Sequence, residues 1–384
     1  MTERQAWICL ASVSGVADEQ MGLLMARFGS ATDVLTGALD GSLQRWSAAR
    51  WRMEARAALP AAVIRGLAEV AADPGSKLDQ IEQLGLWTLT PLDDDYPTRL
   101  RDLDPPPGLL HGWGDPAALS TSRAVALVGT RRPTPAGRML AARLAARLVE
   151  CRATVVSGLA VGIDGAAHAG TVERDGRTVA VIGAGHLSPG PQAHASLRTR
   201  IVAAGGAVIS EHHPNVRATK GTYPRRNRII AALAEAVLVV EAPLRSGALI
   251  TARHALELGR PVFVAPGRVG DWSTAGALGL LRETPARPLV GLDELVADLG
   301  YFALPGSSVA PAGPASRQAA LAMLGGAERA VAQRLCQSPA GLDVLVHDTE
   351  LEPATVSGAV TLLLMRGWAQ AIGPAYLPAG PLLG

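Results

Sequence analysis

Over the first 75 or so residues the apolar positions recur at helical spacing, through 7–10, 21–28 and 51–64, with little strand signal between them. A small helical (SAM-like) module over residues 1–75 is expected. Asp73-Pro-Gly-Ser reads as a turn-rich boundary and Asp104-Pro-Pro-Pro-Gly as a second break, inside a mixed lead-in of about 80–120. From Ala124 the pattern changes. Short, almost uniformly apolar runs (AVALVG, ATVVSG, TVAVIG, AVISE, AVLVVEA and PVFVAPG) alternate with helical stretches such as TPAGRMLAARLAARLVE, HASLRTRIVAAG, PRRNRIIAALA and ALITARHALELG. Strands apolar on both faces are strands covered by helices on both sides. The pattern therefore predicts an α/β, Rossmann-like core over 76–300, built on a doubly wound, mostly parallel sheet. Ligands of such sheets bind beyond the carboxyl ends of the strands, so the loops there are the functional candidates.

The stretch LPGSSVAPAGPAS, within 301–318, has linker composition. Residues 319–384 then read as a separate unit. Helical stretches around 329–335 and 354–366 precede 368–372 and 374–377, which fit a short hairpin. A winged-helix-like module is expected, suited to DNA or to protein contacts.

A chain of 384 residues exceeds the roughly 250–300 that one core usually serves, in keeping with several domains. Although 48% of residues are hydrophobic, no run approaches the about 18 apolar residues of a spanning helix, and Met-Thr-Glu-Arg-Gln is no signal segment. A cytoplasmic protein without a membrane partner is expected. Cys9, Cys151 and Cys336 fit neither a disulfide framework nor a zinc spacing, so they are expected to be reduced, with no metal and no cofactor.

Net charge is only +2, and its distribution says more than its sum. No acidic residue occurs in 116–149 or in 212–234, and both stretches are rich in arginine. The first strand runs into Val128-Gly-Thr-Arg-Arg-Pro-Thr-Pro-Ala-Gly137. There Gly129 permits a tight turn and Thr130, Arg131 and Arg132 stand before a helix whose positive end favours an anion; Arg131 can take a phosphate bidentately. The loop is neither GxGxxG nor a Walker sequence, which removes the usual support for hydride transfer and P-loop hydrolysis. A second small-residue loop carries Ser157, Gly158 and Gly162. Asp164 and His168, four residues apart, are expected to be structural, with Asp164 capping a helix and His168 bonded in the interior. Lys220-Gly221-Thr-Tyr223-Pro-Arg225-Arg226-Asn227-Arg228 gathers cations and one aromatic at a helix entry, a combination suited to single-stranded nucleic acid: cations follow phosphates and a base stacks on the ring. Ser246 and Gly247 open another helix at the same site, where Ser246 is expected to cap or to donate to a phosphate, capping being the default. Glu241 faces the same crevice, either as the acid of a hydrolytic site or as a partner of Arg225 or Arg228.

The blocks GTRRPTPAG, SGLAVGIDGAAHAGTV, KGTYPRRNRIIAALAEAVLVVEA and RSGALITARHALELGRPVFVAPG stand in the order and spacing of the DNA-processing protein A family, which this chain resembles over about 90–270. The lead-in, with Tyr96-Pro and Pro105-Pro-Pro, is also similar. The resemblance implies a non-enzymatic protein that binds and protects single-stranded DNA, loads the RecA recombinase in transformation or recombination, and forms a homodimer. It implies that Arg131, Lys220 and Tyr223 are binding residues, followed by the Pro-x-Arg-Asn-Arg run of Pro224, Arg226, Asn227 and Arg228. Three features depart from the family. Val161 stands where an arginine is usual, HLSPGPQAH replaces the features that usually follow VIGAG, and GRVGDWSTAGALGLLRET lacks the usual Gly-Cys-Asn-x-Leu-Ile. Two alternatives stand beside this reading: a phosphoribohydrolase-like enzyme, whose Pro-Gly-Gly-x-Gly-Thr loop is missing here, and an adaptor that binds through its C-terminal winged helix.

Overall fold

Six helices open the chain: α1 (Glu3–Ala11), α2 (Asp18–Phe28), α3 (Ala31–Leu39), α4 (Ser42–Met53), α5 (Ala61–Ala72) and α6 (Pro74–Glu82). They enclose a core that includes Leu10, Leu24, Leu35 and Leu67. Thr2 and Gln5 form a capping box on α1. The expected boundary at Asp73 is instead the start of α6. The Asp73 carboxylate accepts from Ser76 N at 3.1 Å and Pro74 occupies the first turn, where its missing N–H is harmless.

The computed structural model describes residues 1–16, 18–53, 59–187, 192–219, 221–301, 321–366, 368–372, 375–378 and 382, which fall into two units, Met1–Phe302 and Ala303–Gly384. Among the described residues no helix is long and apolar enough to cross a membrane.

The first unit carries a nine-stranded sheet of β1 (Trp87–Leu89), β2 (Leu110–Gly114), β3 (Ala124–Val128), β4 (Thr154–Ser157), β5 (Thr178–Val181), β6 (Ala207–Ser210), β7 (Ala236–Val239), β8 (Val262–Val264) and β9 (Arg287–Pro288), in the order β1-β2-β6-β5-β4-β3-β7-β8-β9. The six apolar runs of the sequence are β3 to β8. They pair in parallel, with Ala126 opposite both Val156 and Val237. The edge strands β1 and β2 lie in the expected lead-in, and pairing rather than composition makes them strands. His111 faces Ser210 antiparallel, Gly112 leaves room for Trp87, and the Trp87 indole donates to Gly114 O at 2.8 Å.

Helices α7 (Pro135–Glu150) and α8 (Ile163–Val172) cover one face of the sheet, and α10 (Thr222–Leu233) and α11 (Gly247–Glu257) cover the other. Successive side chains of β3 divide between them. Val125 and Leu127 pack with Leu144, Leu148 and Ile163, whereas Ala126 and Val128 pack with Ile229, Ile230 and Ala252. The unit is completed by α9 (Ala195–Ala203), α12 (Ala275–Glu283) and α13 (Leu292–Asp298).

The second unit runs α14 (Gly326–Leu335), β10 (Ala340–Gly341), α15 (Leu342–Thr349), α16 (Pro353–Met365), β11 (Ala369–Ile372) and β12 (Ala375–Pro378). Its sheet order is β10-β12-β11, and Val331, Leu335, Leu345, Val356 and Leu363 form its core. This is the winged-helix arrangement, with the β11–β12 hairpin as the wing. Cys9 and Cys151 are buried free thiols, and the Cys336 thiol donates to Leu382 O at 3.6 Å.

Candidate functional site

The chain winds outward from β3 through β4, β5 and β6, then returns to place β7 on the other side of β3. That reversal is the topological switch point, where the loops leaving β3 and β7 separate and open a crevice. A cleft of about 750 Å³ lies there, with Gly129, Thr130, Arg131, Arg132, Tyr223, Arg226, Asn227, Ser246 and Gly247 in its walls.

Backbone bonds hold its rim. Thr130 N donates to Glu241 O at 2.7 Å, and Ile163 N donates to Thr130 O at 3.2 Å. Gly162, with φ of 99°, lies so close that a Cβ there would fall 2.3 Å from Thr130 O; only glycine fits. Thr134 caps α7, accepting from Gly137 N at 3.0 Å, and the Glu241 carboxylate accepts from both the amide and the hydroxyl of Thr134. Glu241 is thus bound to the start of α7. It does not pair with Arg225 or Arg228, contrary to that expectation from sequence. Ser246 caps α11 through Ala248 N at 3.3 Å, as expected.

The cations divide by orientation. Arg131 and Arg132 are exposed, and so is Arg245, a cleft residue that the sequence reading passed over. The Arg131 guanidinium lies over the Tyr223 ring, 4.9 Å from its centroid, while the ring edge rests against Gly183. One face of Tyr223 is therefore occupied by an arginine rather than open for a base. Trp272, on the loop before α12, stands 63% exposed at the same cleft. It lies in the segment where the family pattern breaks off, so the resemblance could not point to it.

Arg226 turns inward and is only 4% exposed. It donates to Gly158 O at 2.6 Å, to Val181 O, and to Asn227 Oδ1 at 3.2 Å. Gly158 is where the chain must have no side chain, since a Cβ would fall 2.6 Å from that guanidinium. Burial pulls Arg226 down to about 10, opposed by Asp164, so it stays cationic at neutral pH. Asp164 does not cap its helix as expected, because Gly162 holds the N-cap position without a side-chain bond. Its carboxylate instead collects the amides of Ala160, Gly158 and Gly129, and burial raises its pKa against the pull of Arg226 and those amides. Asn227 ties α10 to α11 through Gly247 O at 3.1 Å. Ser157 is fully buried and donates to Leu127 O at 2.5 Å, so it faces the sheet and not the cleft. His168 is interior, 2.7 Å from Thr178 Oγ1; burial pushes its imidazole down to about 3, which keeps it neutral.

Arg225 and Arg228 point toward the helical module. Arg228 contacts Asp18 at 2.8 Å and Glu211 at 2.5 Å, and Arg225 reaches Asp18 at 3.0 Å. Asp18 also accepts from Gly108 N at 3.0 Å, joining α2, the lead-in and α10. Gly221 is the exposed N-cap residue of α10, and Lys220 lies outside the described residues. Among the described residues no cluster of His, Cys, Asp or Glu could hold a metal ion.

A mostly parallel α/β sheet with an arginine-lined cleft at its switch point, and no P-loop sequence, makes this a Rossmann-like protein. The chain belongs to the family described as DNA recombination-mediator protein A, whose sequence profile matches residues 87–300. It is 38% identical over 308 residues to a Mycobacterium tuberculosis protein named for DNA processing, DprA, covering 76% of this chain and 77% of that one. It is 38% identical over 199 residues to the DNA processing protein DprA of Bacillus subtilis, covering 52% of this chain and 67% of that one. Among solved structures, that of DprA from Streptococcus pneumoniae superposes with a TM-score of 0.63 at 29% identity, covering 78% of this chain and 98% of the other. A Helicobacter pylori DprA structure, reported for its single-stranded DNA binding mode, superposes at 0.51 and 29% identity, covering 56% and 95%.

Proposed function

We propose that this protein binds single-stranded DNA in the switch-point cleft, shields it, and delivers it to the RecA recombinase, acting as a homodimer in the cytoplasm without enzymatic turnover. The observation that carries the reading is the Arg131–Tyr223 stack at the mouth of a cleft whose exposed charges are arginines. An arginine laid on an aromatic ring keeps its outer face and its donor fork free for a base or a phosphate. Arg131, Arg132 and Arg245 supply the phosphate contacts, while Arg226 and Asp164 fix the floor beneath them. The relatives support it: the family is described as a recombination mediator, and the Helicobacter pylori relative is reported for its single-stranded DNA binding mode.

Few groups in the cleft are arranged to read base edges, so binding is indifferent to sequence and sensitive to salt. Three phosphate contacts give a slope of about −2 in log affinity against log salt, at about −0.7 each for single strands. Fluorescence anisotropy with single- and double-stranded oligonucleotides across a salt series tests this. Equal affinity for duplex, or a slope near zero, refutes it. A chain ending near residue 315 keeps the binding; its loss would favour an adaptor that works through the winged helix.

A further inference from the structure

Beyond the Arg131–Tyr223 pair lies a second, smaller cavity of about 100 Å³ that the binding reading leaves unused. Arg131 and Tyr223 belong to the walls of both spaces, so the stacked pair is a partition between them. Arg198, carried on α9, also lines the small cavity, and Gly158 and Gly183 form part of its wall. Glycine there lets a ligand approach the main chain closely.

Arg198 is half-buried, yet no carboxylate among the described residues pairs with it, and its Nε is buried without an acceptor. Its neighbours include the Trp113 ring, 6.0 Å from the guanidinium, and the buried imidazole of His186, which burial keeps neutral. No carboxylate lines the cavity either. Withdrawing a guanidinium from water without a counter-charge is costly, and an anion from outside the chain would supply the charge that the chain does not.

We propose that Arg198 is a second phosphate subsite: a single strand held in the main cleft crosses the Arg131–Tyr223 partition, and a phosphodiester of that same strand is bound by Arg198 in the small cavity. This rests on the reading of the cleft as a single-strand site and adds to it a direction for the strand, from β7 across β3 toward β5. Arg198 is separate from every residue that the sequence motifs single out.

The test compares Arg198→Met with Arg131→Ala and the unsubstituted full-length chain, binding oligothymidylates of increasing length over a salt series, with melting temperature measured in parallel. Methionine preserves packing on Trp113 and removes only the charge. The expected result for Arg198→Met is an unchanged or raised melting temperature, a salt slope flattened by about 0.7, and several-fold weaker binding of long oligonucleotides with short ones little affected. Binding and slope equal to those of the unsubstituted chain, while Arg131→Ala flattens the slope, would overturn the second subsite and leave the main cleft standing. A lower melting temperature with an unchanged slope would also overturn it, since Arg198 would then only cover Trp113. If the unsubstituted chain fails to bind, the cleft reading and this inference fall together.

Discussion

Arg226 sits in the basic run that the family shares, and the structure nevertheless gives it a scaffold role that can be measured. Arg226→Met keeps much of the side chain's volume but removes the bonds to Gly158 O, Val181 O and Asn227 Oδ1 and strips Asp164 of its opposing charge. Leaving a buried acceptor without its donor costs about 1–3 kcal/mol, so the three acceptors together lose about 3–5 kcal/mol. Met1–Phe302 form one unit, and at about 2.1 cal/mol/K per residue a unit of roughly 300 residues has an unfolding entropy near 0.6 kcal/mol/K. The melting midpoint is therefore expected to fall by about 5–8 °C.

The pH dependence of that loss identifies its cause. Without Arg226 the native pKa of Asp164 rises further above its unfolded value, so the native state of the variant binds the extra proton. Its stability then falls as pH rises from about 4 toward that raised value. The deficit is smaller at about pH 5 than at about pH 8, and Asp164→Asn in the same background recovers part of it, with a coupling of about 0.5–3 kcal/mol. Differential scanning fluorimetry at both pH values with the four variants of the cycle gives the answer. A midpoint within about 1 °C of the parent, the range of ordinary surface substitutions, together with a flattened salt slope for DNA, would refute the scaffold role and make Arg226 a phosphate contact.

Tyr223→Phe keeps the ring under Arg131 and should bind single strands almost as the parent does, while Tyr223→Ala, which removes the platform under Arg131, should lose roughly 0.5–1 kcal/mol by anisotropy; equal affinity for the alanine variant would remove Tyr223 from the site. Trp272→Ala, at an exposed position, should leave the melting midpoint unchanged and weaken single-strand binding by up to about 1–3 kcal/mol if the strand runs along that wall; a fall in the midpoint without weaker binding would count against that path. Five histidines are pushed down by burial: His111 and His168 to about 3, His186 and His213 to about 4, and His212 in the same direction. Between the unfolded value and these native values only the unfolded chain takes up their protons, so stability falls as pH drops below about 6.5, by up to about 1.4 kcal/mol per pH unit for each histidine. Urea titrations at three pH values across that window should show the slope, and a flat profile would contradict the burial of these imidazoles.

The strands of the core were legible because each is a short unbroken apolar run, which only a sheet covered on both faces requires. The edge strands were not: Leu-His-Gly-Trp-Gly in β2 has no β-branched residue, and it is extended because β6 supplies its partners. In the site, Gly129, Arg131 and Arg132 lie on the loop after β3 as the sequence suggested, whereas Arg225, Arg226 and Arg228 stand within α10, and the directions of these arginines were not legible. For Arg226 the signal was present in the helical phase. It precedes Ile229 and Ile230 by three and four positions and Leu233 by seven, which puts it on the apolar stripe of α10, all of it buried. For Arg225 and Arg228 no local signal exists, because their partners Asp18 and Glu211 come from α2 and from the end of β6.

A run of three arginines in four positions therefore holds two functions set by phase and by distant carboxylates. Arg226 supports the loops that present Arg131, and Arg225 with Arg228 fastens the helical module to the same helix. Charge counting along the sequence assigns all three to the ligand. On the proposed single-strand reading that part falls to Arg131, Arg132 and Arg245, which have no carboxylate within salt-bridge reach among the described residues and face the cleft where the strand order reverses.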